Sequence, residues 1–345
     1  MINPLRSDVV LDMGTEKTRI ALRGRGILME EPSAVAFRSG GQAIAAGEEA
    51  VTLAGKNPAG VQLVWPIRGG AVSDVAAAGE MVRLMMRKAR SGWPRLWRLA
   101  LILTPACLSE VEKRAAEQAV KMAGAAEVWL EDAGWAAALG CGLPLDAPRG
   151  SMVVDIGAGT TTAAVYSMQG QVACQCCVTG ADSWDQAMIG YIRREHQVVV
   201  NEETAREIKS LLADVYEPCY EDTHPVRGRD IASGLPVTLD IGATEICQAL
   251  EGCMEALLET VSAALAQTPP ELAADVLKNG LTLCGGGSLL KGLPQRMEQA
   301  LHIPVSRAQQ PGQAAVLGGE TLLERGIAYL HKRAGIQPGR RIYHA

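Results

Sequence analysis

The chain has 345 residues, and at roughly 100–200 residues per domain that length predicts two domains. Its 48% hydrophobic and 21% charged residues can build a sizeable core, which excludes a disordered or collagen-like chain. With 33 lysines and arginines against 38 aspartates and glutamates the formal charge is −5, which argues against bulk nucleic-acid binding of the kind a basic domain provides. No apolar run approaches the ~20 residues of a bilayer crossing; the longest, 99–108, is broken by Thr104 and Pro105. The start has no charged region followed by an apolar run, so no secretory signal is read. Nine scattered cysteines fit a reducing cytoplasm better than a disulfide framework.

In chain order, the first element is Val9-Val10-Leu11-Asp12-Met13-Gly14-Thr15, followed by Thr18-Arg19-Ile20-Ala21-Leu22. An apolar strand, a glycine-threonine turn and a second strand predict a β-hairpin. Residues 99–105 read as a buried strand. Ser109 and Glu112 form a capping box for a helix ending near Gly124. Val128-Trp129-Leu130 reads as a strand, and Asp132 as the cap of an alanine-rich helix. Next, 152–161 with Ala163-Ala164-Val165-Tyr166 repeats the first hairpin, about 143 positions later. That recurrence predicts two related domains in tandem, each a sheet with helices on its faces. Helices are predicted over 185–194 and 204–212, a loop over 214–225, and a polar hairpin over 227–239 turning at Ser233-Gly234. Ile246, Leu250, Met254, Leu257, Val261 and Leu265 mark a long helix. A strand, 281–284, then runs into Gly285, Gly286, Gly287 and Ser288.

The two hairpin turns carry the chemistry. Glycine lets backbone N–H groups approach a phosphate with no Cβ in the way, and threonine hydroxyls add donors. An aspartate at the strand end can hold waters of a magnesium ion. Asp12-x-Gly14-Thr15 and Asp155-x-Gly157-x-Gly159-Thr160 both have this composition. Either alone is matched by an ordinary glycine hairpin; two, with a third glycine cluster at 285–287, point to a nucleotide clamped between two domains. No GxxxxGK[ST] occurs, and no GxGxxG at a strand–helix junction, so P-loop and Rossmann sites are excluded.

On these residues the chain resembles the actin-like ATPase superfamily, and within it the MreB/Mbl family. Stretches similar to that family are 152–161, Arg227-Gly228-Arg229-Asp230 with Gly234-Leu235-Pro236, Thr268-Pro269-Pro270-Glu271-Leu272-Ala273-Ala274-Asp275, and 283–293. The resemblance covers about 8–325. It implies an α/β actin-like ATPase fold of two duplicated domains: domain I over 1–145 with a small subdomain about 33–66, domain II over 146–330 with a small subdomain about 182–245, and a basic tail over 331–345. It implies ATP and Mg2+ in the cleft between the domains. It further implies self-association into double protofilaments at the inner face of the cell membrane, where the family organises cell-wall synthesis and sets cell shape with elongation proteins and MreB paralogues. Carried over by position, Gly14, Thr15, Glu16 and Lys17 match the first phosphate loop, and Gly157, Ala158, Gly159 and Thr160 the second. Arg206, Glu207 and Lys209 match the helix beside the adenosine. Gly285, Gly286, Gly287 and Ser288 match the loop under base and ribose. Asp12 and Asp155 match the metal-side aspartates, acting through water. Thr160 is the catalytic candidate beside the phosphates.

The pattern departs where hydrolysis is concerned. In-line attack on a γ-phosphate depends on a positioned water, which the family orients with a glutamate. Matched without gaps from Ala123-Gly124 to Gly142-Leu143-Pro144, that position is Ala133. Asp132, one residue earlier, points about 100° away on a helix; it is a second catalytic candidate, but is read first as a helix N-cap. Hydrolysis is therefore expected to be slow or absent. Ala158 replaces a glycine and requires a negative φ. Thr162 stands where the family has glutamate, and Glu16-Lys17 where it has an asparagine-like position. Lys17 reads as a phosphate aid or as a solvated hairpin charge.

Residues 81–109 contain no acidic side chain but hold Arg83, Arg87, Lys88, Arg90, Arg95 and Arg98 around Trp93, Leu96 and Trp97. Tryptophan at headgroup level and arginine on anionic lipid predict a membrane-contact loop at Trp93, Leu96 and Trp97; the alternative is that the tryptophans pack on the domain. Cys174-x-x-Cys177 with Cys176 lacks the second pair that tetrahedral zinc needs and is read as strand cysteines. Met85, Met86, Met188 and Met254 are expected inside. Two other functions remain as alternatives: a sugar-kinase-like enzyme, for which neither a catalytic aspartate nor a sugar-site insertion is found, and a non-polymerising paralogue that modulates a relative's filaments.

Overall fold

A computed structural model describes residues 6–56, 60–89, 96–218, 220–326 and 329. The first elements are β1 (Arg6–Met13), β2 (Lys17–Leu22), β3 (Gly26–Pro32), β4 (Val35–Arg38), β5 (Gln42–Ala46), α1 (Glu48–Gly55), β6 (Val61–Val64), β7 (Ile67–Arg68), β8 (Ala71–Val72) and α2 (Val75–Ala89). Then come β9 (Leu96–Thr104), α3 (Glu110–Met122), β10 (Glu127–Asp132) and α4 (Ala133–Gly140). The later elements begin with β11 (Ser151–Ile156), β12 (Thr161–Ser167), β13 (Gly170–Cys177), α5 (Ala181–His196), β14 (Val198–Val199), α6 (Glu202–Leu212), β15 (Thr223–Asp230), β16 (Pro236–Gly242) and α7 (Ala243–Gln267). They end with α8 (Pro270–Asn279), β17 (Leu281–Cys284), α9 (Leu293–Leu301), β18 (Val305–Arg307) and α10 (Ala314–Arg325).

The chain divides into two units. One runs to Leu143 and resumes at Gln313; the other is Pro144–Gly312. The sequence predicts a second domain over 146–330; the chain instead returns to the first unit at Gln313. The cause of the return is packing: α10 lies against α4 and β1 and buries Ala314, Val316, Leu322 and Leu323.

The two large sheets share one topology. The first unit has β3-β2-β1-β9-β10 and the second β13-β12-β11-β17-β18. In each, three strands meander antiparallel and two further strands join parallel to the first of them. Parallel strands need crossover connections, and here these contain helices: α2 among the elements between β3 and β9, α7 and α8 among those between β13 and β17. Each unit also carries a smaller sheet, β5-β4-β6 in the first and β14-β15-β16 in the second.

The core of the first unit joins Val9, Leu11, Ile20 and Ile102 to Met81, Met85, Ala119 and Val120 of α2 and α3. That of the second joins Val154, Ile156, Val165 and Leu283 to Met188, Ile246, Met254 and Val261. Met86 is buried as well, so the four methionines pack inside as expected. Thr223 to Gly242 forms a longer hairpin than the sequence predicted, because β15 begins at Thr223 and pairs with Gly242, inside the stretch read as a loop.

Trp97 requires a second correction. It is 2% exposed and sits in the first unit's core with Ala100 and Ile102, so it is not a membrane contact. The register shifts between Ser7 and Asp8, which pair with Trp97 and Leu99. One residue is thereby bulged out of β9, and this turns Trp97 onto the face of Ala100 and Ile102 instead of that of Leu99. Leu96 lies in β9, and Trp93 lies outside the described residues. Two basic groups of the acid-free stretch are paired locally, Arg83 with Glu80 and Lys88 with Glu31.

Candidate functional site

In the first unit the turn between β1 and β2 is closed by the Gly14 N–H donating to the Lys17 carbonyl at 3.0 Å. Ser33 supports it from behind. Its N–H donates to the Glu16 carbonyl at 2.8 Å, its hydroxyl to the Gly14 carbonyl at 2.6 Å, and Thr18 Oγ1 lies 2.8 Å from Ser33 Oγ. Thr15 Oγ1 accepts from the Gly70 N–H at 2.9 Å, which ties the loop to the β7–β8 turn. Glu16 and Lys17 are exposed.

Asp12 is directly opposite Arg19 in the β1–β2 ladder, and Arg19 is opposite Glu30 in β2–β3. One guanidinium bridges both carboxylates, at 3.3 Å to Asp12 Oδ2 and 3.4 Å to Glu30 Oε1. Glu30 also takes Lys17 Nζ at 3.3 Å and Gln313 Nε2 at 3.0 Å. Burial pushes the Asp12 carboxyl up, and Arg19 offsets this only in part. Burial acts the same way on Glu30, but there Gln313, Arg19 and Lys17 together outweigh it and hold the carboxyl below its ordinary range. Arg19 and Glu30 are absent from the sequence-based site. The hairpin register contains the signal: Asp12 and Arg19 lie equally far from the turn, hence opposite one another.

In the second unit the Gly157 N–H donates to the Thr160 carbonyl at 2.8 Å. The loop's own carbonyls are taken by the start of α5: Ala181 N–H donates to Gly157 at 3.0 Å and Asp182 N–H to Ala158 at 2.9 Å. The N–H groups of Ala158, Gly159 and Thr160 take no backbone carbonyl among the described residues, the arrangement an anion-binding turn requires. Ala158 has negative φ, since the described non-glycine residues with positive φ are Met168, Gln169, Gln197 and His302; its methyl is therefore tolerated. A Cβ on Gly180 would come within 2.5 Å of both the Gly157 and Ala158 carbonyl oxygens, so glycine is what permits α5 to start this close.

The Gly285 loop closes on the same strand end. Gly285 has φ +77°, and a Cβ there would lie 2.3 Å from the Ile156 carbonyl and 2.5 Å from Asp155 Oδ1. Its N–H donates to Pro311 at 2.8 Å, and Ser288 Oγ returns to its carbonyl at 2.7 Å. Gly286, Gly287 and Ser288 form a 3₁₀ turn. Asp155, the 157–160 loop and the 285–288 loop are thus gathered at one end of the second sheet. Lys209 reaches the same neighbourhood: Nζ donates to the Ala181 carbonyl at 3.2 Å and pairs with the buried Asp185 at 2.6 Å. Arg206 also bonds Asp185, at 3.4 Å. Glu207 is exposed, 3.9 Å from His224 Nε2.

Asp132 is the N-cap of α4. Its Oδ1 accepts from Gly134 N–H at 3.0 Å and its Oδ2 from Trp135 N–H at 3.3 Å. Both oxygens serve the helix start, as the cap reading expects, and Ala133 is the first helical residue. Cys176 and Cys177 lie on opposite faces of β13. Cys176 Sγ accepts from Thr162 Oγ1 at 3.2 Å, while Cys177 Sγ lies 2.8 Å from Thr179 Oγ1.

Asp155 stands opposite Thr162 in the β11–β12 ladder and against the Gly285 turn; a carboxylate at this strand end is the residue that would hold waters of a Mg2+ ion. Asp12 differs in that a guanidinium, that of Arg19, lies 3.3 Å from its Oδ2.

The family model described as MreB/Mbl protein matches residues 6–330. The chain belongs to the MreB/Mbl family. It is 34% identical over 322 residues to the cell shape-determining protein Mbl of Bacillus subtilis (strain 168), covering 92% of this chain and 96% of that protein. It is 35% identical over 324 residues to the cell shape-determining protein MreB of Escherichia coli (strain K12), covering 92% and 93%. The crystal structure of MreB5 of Spiroplasma citri bound to AMPPNP matches with a TM-score of 0.87 at 28% identity, over 95% of this chain and 99% of that one. The fold is the actin-like ATPase fold.

Proposed function

We propose that this chain is an adenine-nucleotide-binding, actin-like filament subunit that acts in cell shape, and that it turns ATP over slowly or not at all. The observation that carries the nucleotide reading is the 157–160 turn, with three N–H groups in a row unclaimed by backbone carbonyls while its own carbonyls are held by α5. The family and the AMPPNP-bound relative support adenine nucleotide as the anion. Thr160 lies beside the phosphates in this reading, Asp155 on the metal side, and the 285–288 loop and α6 beside the nucleoside. The family resemblance supports self-association at the inner face of the membrane together with cell-wall elongation proteins and MreB paralogues.

Slow turnover follows from Ala133, whose methyl cannot orient a water, and from the commitment of Asp132 to the helix cap. Phosphate release from the purified protein with ATP tests it. The wild type is expected near background, and Ala133→Glu is expected to raise turnover roughly tenfold or more, since water positioning is a main lever in phosphoryl transfer. Wild-type release at the rate of the Escherichia coli relative would refute slow turnover. Electron microscopy of the same sample with ATP and lipid tests assembly: filaments support it, and monomers that alter a relative's filaments point instead to a regulatory paralogue.

A further inference from the structure

The second unit has a joint away from its glycine turns. Past the end of α6, Asp214 is 7% exposed, and its carboxylate turns the chain. Oδ1 accepts from the Tyr216 and Glu217 N–H groups, each at 3.1 Å, the turn an aspartate side chain makes with the backbone just beyond it. Oδ2 faces Lys291 Nζ at 3.1 Å. This turn is docked on the chain that leaves the 285–288 loop. Asp214 and Lys291 form a parallel bridge, the Val215 N–H donates to the Lys291 carbonyl at 3.1 Å, and Arg296 of α9 donates to the Val215 carbonyl at 3.3 Å. Gly292 makes the approach possible: its φ is +76°, and a Cβ there would lie 2.3 Å from Asp214 Oδ1 and 2.8 Å from the Tyr216 nitrogen. The loop runs straight into the joint, since the Leu290 N–H donates to the Gly287 carbonyl at 3.1 Å.

The two elements read as lying beside the nucleoside, α6 and the 285–288 loop, come from distant parts of the chain. Arg206 and Lys209 tie α6 to Asp185 of α5, which sets the helix against α5 and not against the loop. The Asp214 turn sets it against the loop. We propose that Asp214 is a positioning residue: it latches α6 to the 285–288 loop and so fixes the spacing of the two elements with which the second unit holds a nucleoside. The proposal rests on the nucleotide reading above and adds the residue that organises its nucleoside half. The phosphate turn has its own support, the start of α5, so the latch acts on the nucleoside and leaves the phosphate end alone. By linkage, nucleoside binding tightens the latch by the same factor by which the latch tightens binding.

The test is calorimetry with ATP and with inorganic tripolyphosphate, which has the phosphates but no nucleoside, on the wild type, Asp214→Ala and Asp214→Asn. Asp214→Ala removes the acceptor of two N–H groups. It is expected to lose about tenfold or more in ATP affinity while binding tripolyphosphate within about threefold of wild type. Asp214→Asn keeps an oxygen for both N–H groups and gives up the pairing with the exposed Lys291, so it is expected to bind ATP within about threefold of wild type. Equal losses for both ligands in Asp214→Ala would reduce Asp214 to a structural residue, and unchanged ATP affinity would likewise overturn the proposal; in both cases the nucleotide reading stands. If the wild type does not bind ATP, the nucleotide reading falls and the proposal with it. Melting curves establish whether Asp214→Ala is folded. Should it not be, or should tripolyphosphate bind too weakly to measure, hydrogen exchange of the wild type decides alone. Saturating ATP is expected to slow exchange of the Tyr216 and Glu217 N–H groups about tenfold, and unchanged exchange overturns the proposal.

Discussion

The β1–β2 and β11–β12 hairpins have the same backbone and different support. Both turns close with one N–H to C=O bond, 3.0 Å from Gly14 to Lys17 and 2.8 Å from Gly157 to Thr160. Behind the first stands a side chain, Ser33, whose hydroxyl holds the Gly14 carbonyl. Behind the second stands a helix start, whose N–H groups hold the Gly157 and Ala158 carbonyls. A helix N-terminus supplies several donors and a favourable dipole without any particular side chain, so the second loop can be nearly all glycine and alanine. The first has no such helix and relies on hydroxyls and on the Asp12–Arg19–Glu30–Lys17 chain of charges. Duplicated loops can therefore keep their geometry while the chemistry of their surroundings diverges.

The largest expected effect comes from making the first hairpin like the second. Arg19→Thr leaves Asp12 mostly buried without its cation, which costs about 2–3 kcal/mol; that is below the full penalty for breaking a buried pair because Asp12 is partly exposed. The urea midpoint should fall accordingly. Adding Asp12→Asn should restore most of the loss, since no buried carboxylate then remains unpaired. Additive losses in the double variant would mean that the two residues do not act as a pair.

The supports can be compared in the same assay. Ser33→Ala strands the half-buried Gly14 carbonyl and the buried Thr18 hydroxyl, for about 1–2 kcal/mol. Thr162→Val removes one hydroxyl-to-thiol bond in the second row and should cost under about 1 kcal/mol. A larger loss at Thr162 than at Ser33 would reverse the view that the first loop depends more on side chains.

Most of the fold was legible because its signals are local. The duplicated strand–turn–strand pattern gave both hairpins, the capping box at Ser109 and Glu112 is present, and the 246–265 spacing runs along α7. The 185–194 and 204–212 helices extend at their N-terminal sides, to Ala181 and Glu202. What escaped depends on register or on distant chain. Trp97 is buried through a bulge set by pairing with β1. The return of α10 to the first unit needs contacts some 180 residues away, at α4. At the site, glycine spacing found the loops. Arg19 is marked by hairpin register alone, not by glycine spacing or apolar periodicity, and Ser33 lies beyond the hairpin it supports.

The smallest predicted effect sharpens the comparison through two acidic residues, one in each unit. Asp214 is pushed up by burial but held below its ordinary 3.8 by the N–H groups of Tyr216 and Glu217 and by Lys291. Asp12 is shifted the other way, because burial outweighs Arg19. A depressed carboxyl contributes stability that is complete above 3.8 and lost as the pH falls through its lower folded value; a raised one contributes most below 3.8 and loses it as the pH rises through its higher folded value. Asparagine at either position removes the titration. In an acid series of melting curves, the advantage of wild type over Asp214→Asn should therefore shrink as the pH drops below 3.8. The balance between wild type and Asp12→Asn should instead move in favour of wild type as the pH approaches 3.8 from above. Parallel trends in the two variants would show that one of these carboxylates is held by something other than the groups named here, and the contrast between the ion-paired first hairpin and the backbone-held second unit would have to be redrawn.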